Sequence, residues 1–135
     1  MIDEIAGWAL QGFGRFADFD GRSGRPEFAS FFGVNAVVVG LLVGTSAYVG
    51  ATLDLSWMAA GAVASVYLVV AFVPALALVA RRLHDTGRSS LWVLLGAVPI
   101  AGLVLVVWLL LPSEAGPNRY GPSPATRPRG DYDRV

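Results

Sequence analysis

Cysteine and lysine are absent from this 135-residue chain, and His84 is its only histidine. The lack of cysteine excludes disulfides, thiolate metal sites and cysteine nucleophiles. One histidine supplies too few ligands for zinc unless carboxylates from distant segments join it, so we expect no metal. Walker A, Rossmann glycine and HExxH patterns are missing as well, and we expect no cofactor. Ten arginines balance ten acidic residues, and this net charge of zero argues against nucleic acid as a partner.

Charge is also missing from two long stretches. Asp54 is the sole formally charged residue between positions 28 and 80, and positions 91–111 have none. With 55% apolar and 15% charged residues, the composition is far from that of a soluble domain. About 20 apolar residues cross the hydrocarbon core of a bilayer. The pattern therefore predicts an all-α integral membrane protein, with two long transmembrane helices at 28–53 and 55–80 that form a hairpin.

Residues 2–17 show the periodicity of an amphipathic helix. One face of this helix is apolar and is formed by Ile2, Ile5, Ala6, Ala9, Phe13 and Phe16. Such a helix either lies along the membrane interface or packs as an ordinary helix against the rest of the protein. The chain starts without the basic region and cleavage site of a signal peptide, so we expect no processing.

The first span carries small residues at four-residue spacing, namely Ala36, Gly40 and Gly44. Small residues let another helix approach closely, so this surface predicts packing within the chain, or contact with a protein partner or a second copy. Asn35 is the strongly polar side chain of the span, and it either lines a polar pathway or forms an interhelical hydrogen bond. In the second span, Pro74 is expected to kink the helix.

Residues 81–90 are mostly polar and separate the second span from the next apolar run. This segment is named the polar island. Gly87 suits the left-handed residue that ends a helix, and Ser89 or Ser90 can cap the helix that follows. The island is therefore predicted to be a reverse turn at the membrane interface, where guanidinium groups can reach lipid phosphates. With polar residues upstream and downstream it forms a candidate interfacial cluster, here named the polar collar: Arg22, Arg25, Arg81, Arg82, His84, Asp85, Arg88, Asn118 and Arg119.

The third apolar segment, residues 91–111, is long enough to span, but Pro99 to Gly102 interrupts it. A straight crossing would leave four of the ten arginines on the far side. A break that returns the chain leaves all ten on one side, as the positive-inside rule prefers. We expect the segment to be broken or kinked at Pro99–Gly102, with the N-terminus, the turn at 81–90 and the C-terminal tail cytoplasmic. If the segment returns, the hypothesis is that Arg119 and Asp85 meet.

The amino-acid composition changes at Pro112, after which proline and arginine are frequent and apolar residues are few. That composition cannot bury a core of its own. We therefore expect a single helical membrane domain over residues 1–111 and a tail over residues 112–135 whose distal part is disordered.

Three motifs lie in order along the chain: Gly21-Arg22-Ser23-Gly24-Arg25-Pro26-Glu27-Phe28, Arg81-Arg82-Leu83-His84-Asp85-Thr86-Gly87-Arg88-Ser89 and Gly116-Pro117-Asn118-Arg119-Tyr120-Gly121-Pro122. Together they resemble the motifs of the DUF805 family of small bacterial inner-membrane proteins. The resemblance implies a location in the bacterial inner membrane. It implies no activity, because the family has none assigned.

Three functions are compatible with these features. The first is a small multipass structural or interaction protein whose collar contacts anionic lipid headgroups or a protein partner. The second is a transport or channel subunit, although the spans contain almost none of the ionisable residues that usually mark ion paths. The third is an enzyme that acts on a lipid headgroup through His84. Adjacent helical residues diverge by about 100°, so His84 and Asp85 are not automatically an oriented dyad. We expect the first function and no catalytic residue.

Overall fold

The computed structural model describes residues 2–53 and 57–124 of the chain. Its elements in order are α1 (Ile2–Gly14), α2 (Arg25–Thr52), α3 (Trp57–Asp85), a 3₁₀ helix (Ser90–Ala97) and α4 (Pro99–Leu110). Within those two ranges there is no β-strand, and an isolated bridge joins Asn118 to Gly121. The predicted all-α membrane architecture is confirmed.

Two long apolar helices, α2 and α3, dominate the fold and pack against each other. They contain 28 and 29 residues, and at about 1.5 Å per residue each exceeds the hydrocarbon core of a bilayer. Pro26 lies in the first turn of α2, where its missing N–H costs no hydrogen bond. The helix therefore begins at Arg25, three residues before the predicted apolar span. Since α3 continues to Asp85, the first half of the polar island is helical.

The surfaces of α2 and α3 are apolar and largely uncovered by the rest of the chain. Leu41 and Val66 are each 65% exposed, and Val69 is 74% exposed. An uncovered apolar surface of this extent suits a lipid environment and not water. Both helices are long and apolar enough to cross a membrane.

The first helix is shorter than predicted, since α1 ends at Gly14, and it packs against α2. An added Cβ at Gly12 would clash with the ring of Phe31, so only glycine allows this close approach. The rings of Phe13 and Phe31 lie 5.2 Å apart. Of the two interpretations of the amphipathic pattern, packing against the protein is the one found. A position along the membrane interface stays a prediction.

The third apolar segment is broken in two. The 3₁₀ helix ends at Ala97, Val98 is extended (φ −112°, ψ 116°), and Pro99 begins α4. An added Cβ at Gly102 would lie 3.5 Å from the carbonyl oxygen of Leu95, which shows that the two arms pack together. The predicted break is confirmed, and the chain returns to the end from which it came. Residues 90–110 are named the returning hairpin.

Three predictions about the two long helices concerned Asn35, Pro74 and the small residues at positions 40 and 44. Tyr67 donates a hydrogen bond of 2.6 Å to Asn35, so Asn35 joins the two long helices, as one of its two interpretations proposed. Helix α3 runs through Pro74, and its kink stays a prediction. At Gly40 and Gly44 an added Cβ would meet nothing within 4 Å, so close packing within the chain is not found there. Asp54, which is expected to cap the second long helix, and the distal tail lie outside the described residues.

Candidate functional site

The polar collar begins with the turn that ends α3. Gly87 adopts φ +74°, and its N–H donates to the carbonyl of His84 at 3.0 Å. The N–H of Arg88 donates to the carbonyl of Leu83 at 2.9 Å, so the left-handed glycine closes the helix as predicted. Ser89 then accepts a hydrogen bond from the N–H of Leu91 and caps the 3₁₀ helix. Both turn predictions are confirmed.

Much of the collar lies inside the protein and not on its surface. Arg22 is 1% exposed, and Arg81, Arg82 and Asp85 are 0% exposed. Buried charges are costly unless they are paired and hydrogen-bonded. The side chains around them therefore have to supply those partners.

Asp85 is the centre of the first buried cluster. Its Oδ1 accepts from Nε of Arg22 at 3.0 Å and lies 2.9 Å from Nη2 of the same guanidinium. Its Oδ2 accepts from Nη1 of Arg82 and from the hydroxyl of Ser113. One carboxylate thus joins the loop before α2, the end of α3 and the segment after α4.

Arg22 binds the chain that follows the returning hairpin. Its Nη1 donates to the carbonyl of Gly116 and its Nη2 to the carbonyl of Glu114, both at 2.7 Å. The N–H of Glu114 in turn donates to the carbonyl of Asp85 at 2.9 Å. Residues 114–116 are therefore held across the buried ion pair and cover it.

Two arginines satisfy the carbonyl groups at the C-terminal end of α4. Nε of Arg82 donates to the carbonyl of Leu109 at 3.0 Å, and its Nη2 donates to that of Leu111. Nη2 of Arg25 donates to the carbonyl of Leu110 at 2.6 Å. The last carbonyls of a helix have no partner within it and carry partial negative charge. The collar therefore holds the end of the returning hairpin next to α2 and α3.

A second buried cluster contains Glu27 and Ser23, two buried polar residues that the predicted collar does not include. Oε1 of Glu27 lies 3.3 Å from Nη2 of Arg81, and Oε2 accepts from the hydroxyl of Ser23 at 2.6 Å. Arg81 also donates to the carbonyls of Arg15 and Asp18, which ties the end of α1 to α3. The available signal was that Glu27 is an acidic residue directly beside the arginines of its motif.

Asp18 lies at the edge of this second cluster, outside the membrane-spanning helices. Its carboxylate accepts from Nε of Arg15 at 2.8 Å. Burial opposes ionisation of Asp18, but the hydrogen bonds and charge of Arg15 outweigh it, so its pKa lies below the ordinary value. The pair is partly exposed, which makes its contribution to stability small.

His84 has structural contacts on several sides. Its Nδ1 lies 3.1 Å from the carbonyl of Gly21, and its ring stacks on Tyr120 with centroids 3.8 Å apart and planes at 6°. Asn118 donates to the carbonyl of His84 at 3.0 Å. The carboxylate of Asp85 instead faces Arg22, so the two neighbours do not form a dyad. His84 and Asn118 hold the C-terminal turn onto the end of α3.

The outer part of the collar contains Arg25, Arg88 and Arg119, here named the rim arginines. Arg88 lies 4.7 Å above the ring of Trp108, and Arg119 lies 4.7 Å above the ring of Tyr120. The hypothesis that Arg119 and Asp85 meet is wrong. The carboxylate of Asp85 is fully buried and already has its partners, so Arg119 remains outside on the aromatic ring.

The chemistry of the collar is that of a buried ionic network in which most buried donors and acceptors are paired. Over residues 2–53 and 57–124, no group of three His, Cys, Asp or Glu side chains is placed to hold a metal ion. Buried side-chain atoms without a partner in that part of the chain are Nε of Arg81 and Oε1 of Gln11. The structure therefore brings all nine predicted collar residues to one end of the molecule, and the most buried of them serve the fold.

Comparison with known proteins identifies the family. The profile of the family described as "Protein of unknown function (DUF805)" matches residues 16–122. The chain belongs to the DUF805 family. It is 38% identical over 118 residues to inner membrane protein YhaI of Escherichia coli K12, covering 87% of the chain and 94% of that relative. It is 34% identical over 128 residues to inner membrane protein YhaH of the same strain, covering 90% of the chain and 98% of that relative.

The comparisons also place the protein in a cell compartment. Both relatives carry the description of inner membrane proteins and are matched over nearly their whole length. No solved structure matches the chain significantly. This DUF805 member is therefore a multipass protein of the bacterial inner membrane, and its molecular activity is unassigned.

Proposed function

We propose that this DUF805 member is a non-enzymatic interaction protein whose rim arginines bind anionic lipid headgroups, while the buried collar holds those arginines in position. The division of the collar into two sets of arginines is the observation that carries the proposal. Arg22, Arg81 and Arg82 are at most 1% exposed and are surrounded by protein acceptors. Arg25 and Arg119 are exposed and Arg88 is half-buried.

The rim arginines are the accessible guanidinium groups of the collar. Arg25 donates from Nε and Nη2 to the carbonyls of Leu111 and Leu110. Arg88 donates from Nη1 to the carbonyl of Thr86. Planar guanidinium groups bind phosphate through several N–H groups at once, and aromatic rings beneath two of them fix their orientation.

The environment of His84 favours a non-enzymatic protein. A general base must reach the proton that it removes from a substrate. The ring of His84 is covered by Tyr120, its Nδ1 faces the carbonyl of Gly21, and the residue is 6% exposed. Asp85 is committed to two arginines. These contacts give little support to the alternative that the protein is an enzyme acting on a lipid headgroup through His84.

The alternative of a transport or channel subunit has less support than lipid binding. Ion paths usually contain ionisable or unpaired polar groups inside the membrane. Asn35 instead accepts from Tyr67 and donates to the carbonyl of Phe31. A pore between copies would need Ala36, Gly40 and Gly44, whose surface is open in the single chain. A homo-oligomer through that surface is a separate prediction.

We further propose that the collar faces the cytoplasm. Since the third segment returns, Arg119 lies at the same end as the other collar arginines, which is the distribution that the positive-inside rule favours. The chain has no native cysteine, so single cysteines report topology without background. With an impermeant maleimide, Thr52→Cys should react from the periplasm and Ala115→Cys only after the inner membrane is opened. Reaction of Ala115→Cys in intact cells would reverse this orientation.

The lipid proposal is tested with purified protein and phosphatidylglycerol. In the triple variant Arg25→Gln, Arg88→Gln and Arg119→Gln, each lost charge removes about 1 kcal/mol of attraction to an anionic surface. Affinity for phosphatidylglycerol should therefore fall on the order of 100-fold. Native mass spectrometry of the retained lipid, with phosphatidylcholine as the neutral reference, measures this loss.

The matched control keeps the positive charge of the three rim side chains and changes their shape. The triple variant Arg25→Lys, Arg88→Lys and Arg119→Lys should retain much more phosphatidylglycerol than the glutamine variant. Thermal unfolding should be similar for both, because the buried network is untouched. If the folded glutamine variant retains phosphatidylglycerol as well as the unchanged protein does, the rim does not bind lipid and the proposal is wrong.

A further inference from the structure

We infer that the protein is a wedge across the bilayer, wider in the leaflet next to the collar, and that it prefers a lipid surface that is convex on that side. The inference rests on how deep the returning hairpin reaches and on what lies beyond its tip. It requires membrane insertion but not lipid binding by the rim arginines, so the two proposals can fail separately.

The returning hairpin reaches about half of the bilayer depth. Its 3₁₀ arm has 8 residues, about 16 Å at 2.0 Å per residue. Its α4 arm has 12 residues, about 18 Å at 1.5 Å per residue. Both arms start at the collar, and the hydrocarbon core is about 30 Å thick. The tip at Val98–Pro99 therefore lies near the middle of the membrane.

Contacts at the collar show which parts of the long helices lie beside this tip. Arg25 donates to the carbonyl of Leu110, so the start of α2 is level with the end of α4. Pro99 lies eleven residues before Leu110, and the same count along α2 from Arg25 reaches Ala36. Ala36 and Phe72 of α3 both line an apolar groove of about 340 Å³ between the two long helices. The groove extends from Phe31 and Ala75 to Val39 and Leu68, so it includes the level at which the hairpin ends.

The first helix widens the same half of the molecule. Ile5 of α1 lines a second groove together with residues of the first half of α2, from Ala29 to Val38. The ring of Phe31 fills the notch at Gly12. The collar-side half therefore contains α1, both arms of the returning hairpin and the adjoining halves of α2 and α3.

The opposite half contains α2 and α3 alone among the described elements. Its apolar side chains are open, with Val63 58% exposed and Val69 74% exposed. A helix with side chains is about 10 Å across, so each additional segment displaces lipid in the collar-side leaflet only. Membrane-inserted segments confined to one leaflet make binding sensitive to curvature. Convex curvature enlarges the outer leaflet and relieves the mismatch when the collar is outside.

The experiment measures orientation as a function of vesicle size. The protein with Ala115→Cys is reconstituted into phosphatidylcholine vesicles, either small sonicated ones or large extruded ones. An impermeant maleimide labels outward collars, and labelling after detergent gives the total. The ratio of outward to inward collars should rise several-fold from large to small vesicles. Phosphatidylcholine is neutral, so attraction of arginines to anionic lipid does not contribute.

A ratio that is the same in both kinds of vesicle would overturn the inference, as would an excess of inward collars in small vesicles. Loss of the size dependence after Arg119→Gln would also count against it, because Arg119 lies over Tyr120, outside the returning hairpin. Retention of the size dependence in the triple glutamine variant, together with loss of phosphatidylglycerol binding, separates the two proposals.

Two matched variants each reduce the width of one half of the molecule. The first truncates exposed side chains of the hairpin: Ile100→Ala, Leu103→Ala, Val107→Ala and Leu110→Ala. The second truncates exposed side chains of the opposite half: Leu41→Ala, Val63→Ala, Val66→Ala and Val69→Ala. All eight positions are more than half exposed, so their truncation leaves the packing of the chain in place. The first variant should weaken the size dependence and the second should keep or increase it, and the reverse order would overturn the inference.

Discussion

The collar-side half and the opposite half of this molecule are held together by different interactions. In the collar-side half, charged side chains such as Arg22 and Asp85 are fully buried and bonded to one another. In the opposite half, two apolar helices lie against each other, and residues such as Leu41 and Val69 are exposed. One half is specified by directional hydrogen bonds, and the other by packing and by the surrounding lipid.

The difference reflects the solvent that each half meets. Between two helices in lipid there is little hydrophobic driving force, because lipid tails are as apolar as the side chains. At the collar, water and headgroups compete for every polar group, and a buried guanidinium is costly unless it is paired with a carboxylate and hydrogen-bonded. The arginines therefore bind carbonyl groups at segment ends, such as those of Leu109 and Gly116, that have no partner in a helix.

The largest effect is expected for Asp85→Asn. The change removes the negative charge between Arg22 and Arg82 and leaves two buried guanidinium groups without compensation. Breaking a buried ion pair in this way costs about 3–5 kcal/mol. Thermal unfolding in detergent measures the loss, and the accessibility of a cysteine at Ala115 reports whether the covering segment is released.

The control for that prediction is Asp20→Asn, because Asp20 is an exposed acidic residue near the collar. It should leave the unfolding temperature almost unchanged. Equal stability of the two variants would mean that the collar does not hold the fold, and the contrast between the two halves would disappear.

A smaller effect is expected for Tyr67→Phe between the long helices. The change removes the 2.6 Å hydrogen bond to Asn35 and keeps the ring. Interhelical hydrogen bonds in membranes contribute about 0.6 kcal/mol on average and at most about 1.7 kcal/mol. The loss in free energy of unfolding should therefore be several times smaller than that of Asp85→Asn.

Tyr48→Phe provides the matched control, since Tyr48 is 71% exposed. It should have no measurable effect on unfolding. A loss for Tyr67→Phe as large as that for Asp85→Asn would show that the contact between the long helices depends on polar groups as strongly as the collar does.

Local features of the fold were predictable because each depends on a few neighbouring residues. The two long apolar runs indicated α2 and α3, and Gly87 and Ser89 indicated the ends of helices. Pro99 indicated the break in the third segment, since proline cannot continue the hydrogen bonds of a preceding helix. The nine collar residues were also identified from motif and charge.

The partners of the collar residues were not predictable to the same extent. Arg119 was expected to meet Asp85, yet Asp85 pairs with Arg22 and Arg82 while Arg119 lies over Tyr120. Glu27 pairs with the buried Arg81, which lies 54 positions away in the sequence. Several arginines compete for two carboxylates, and sequence spacing alone does not rank them.

The sequence by itself determined that this protein is helical, embedded in a membrane and polar at one end. Hydropathy, and the residues that begin and end helices, act over short distances along the chain. Only the tertiary structure decided which arginines are buried and which form the rim. Burial of a charged group depends on every acceptor that surrounds it, and those of Arg22 come from segments 63 to 99 positions away.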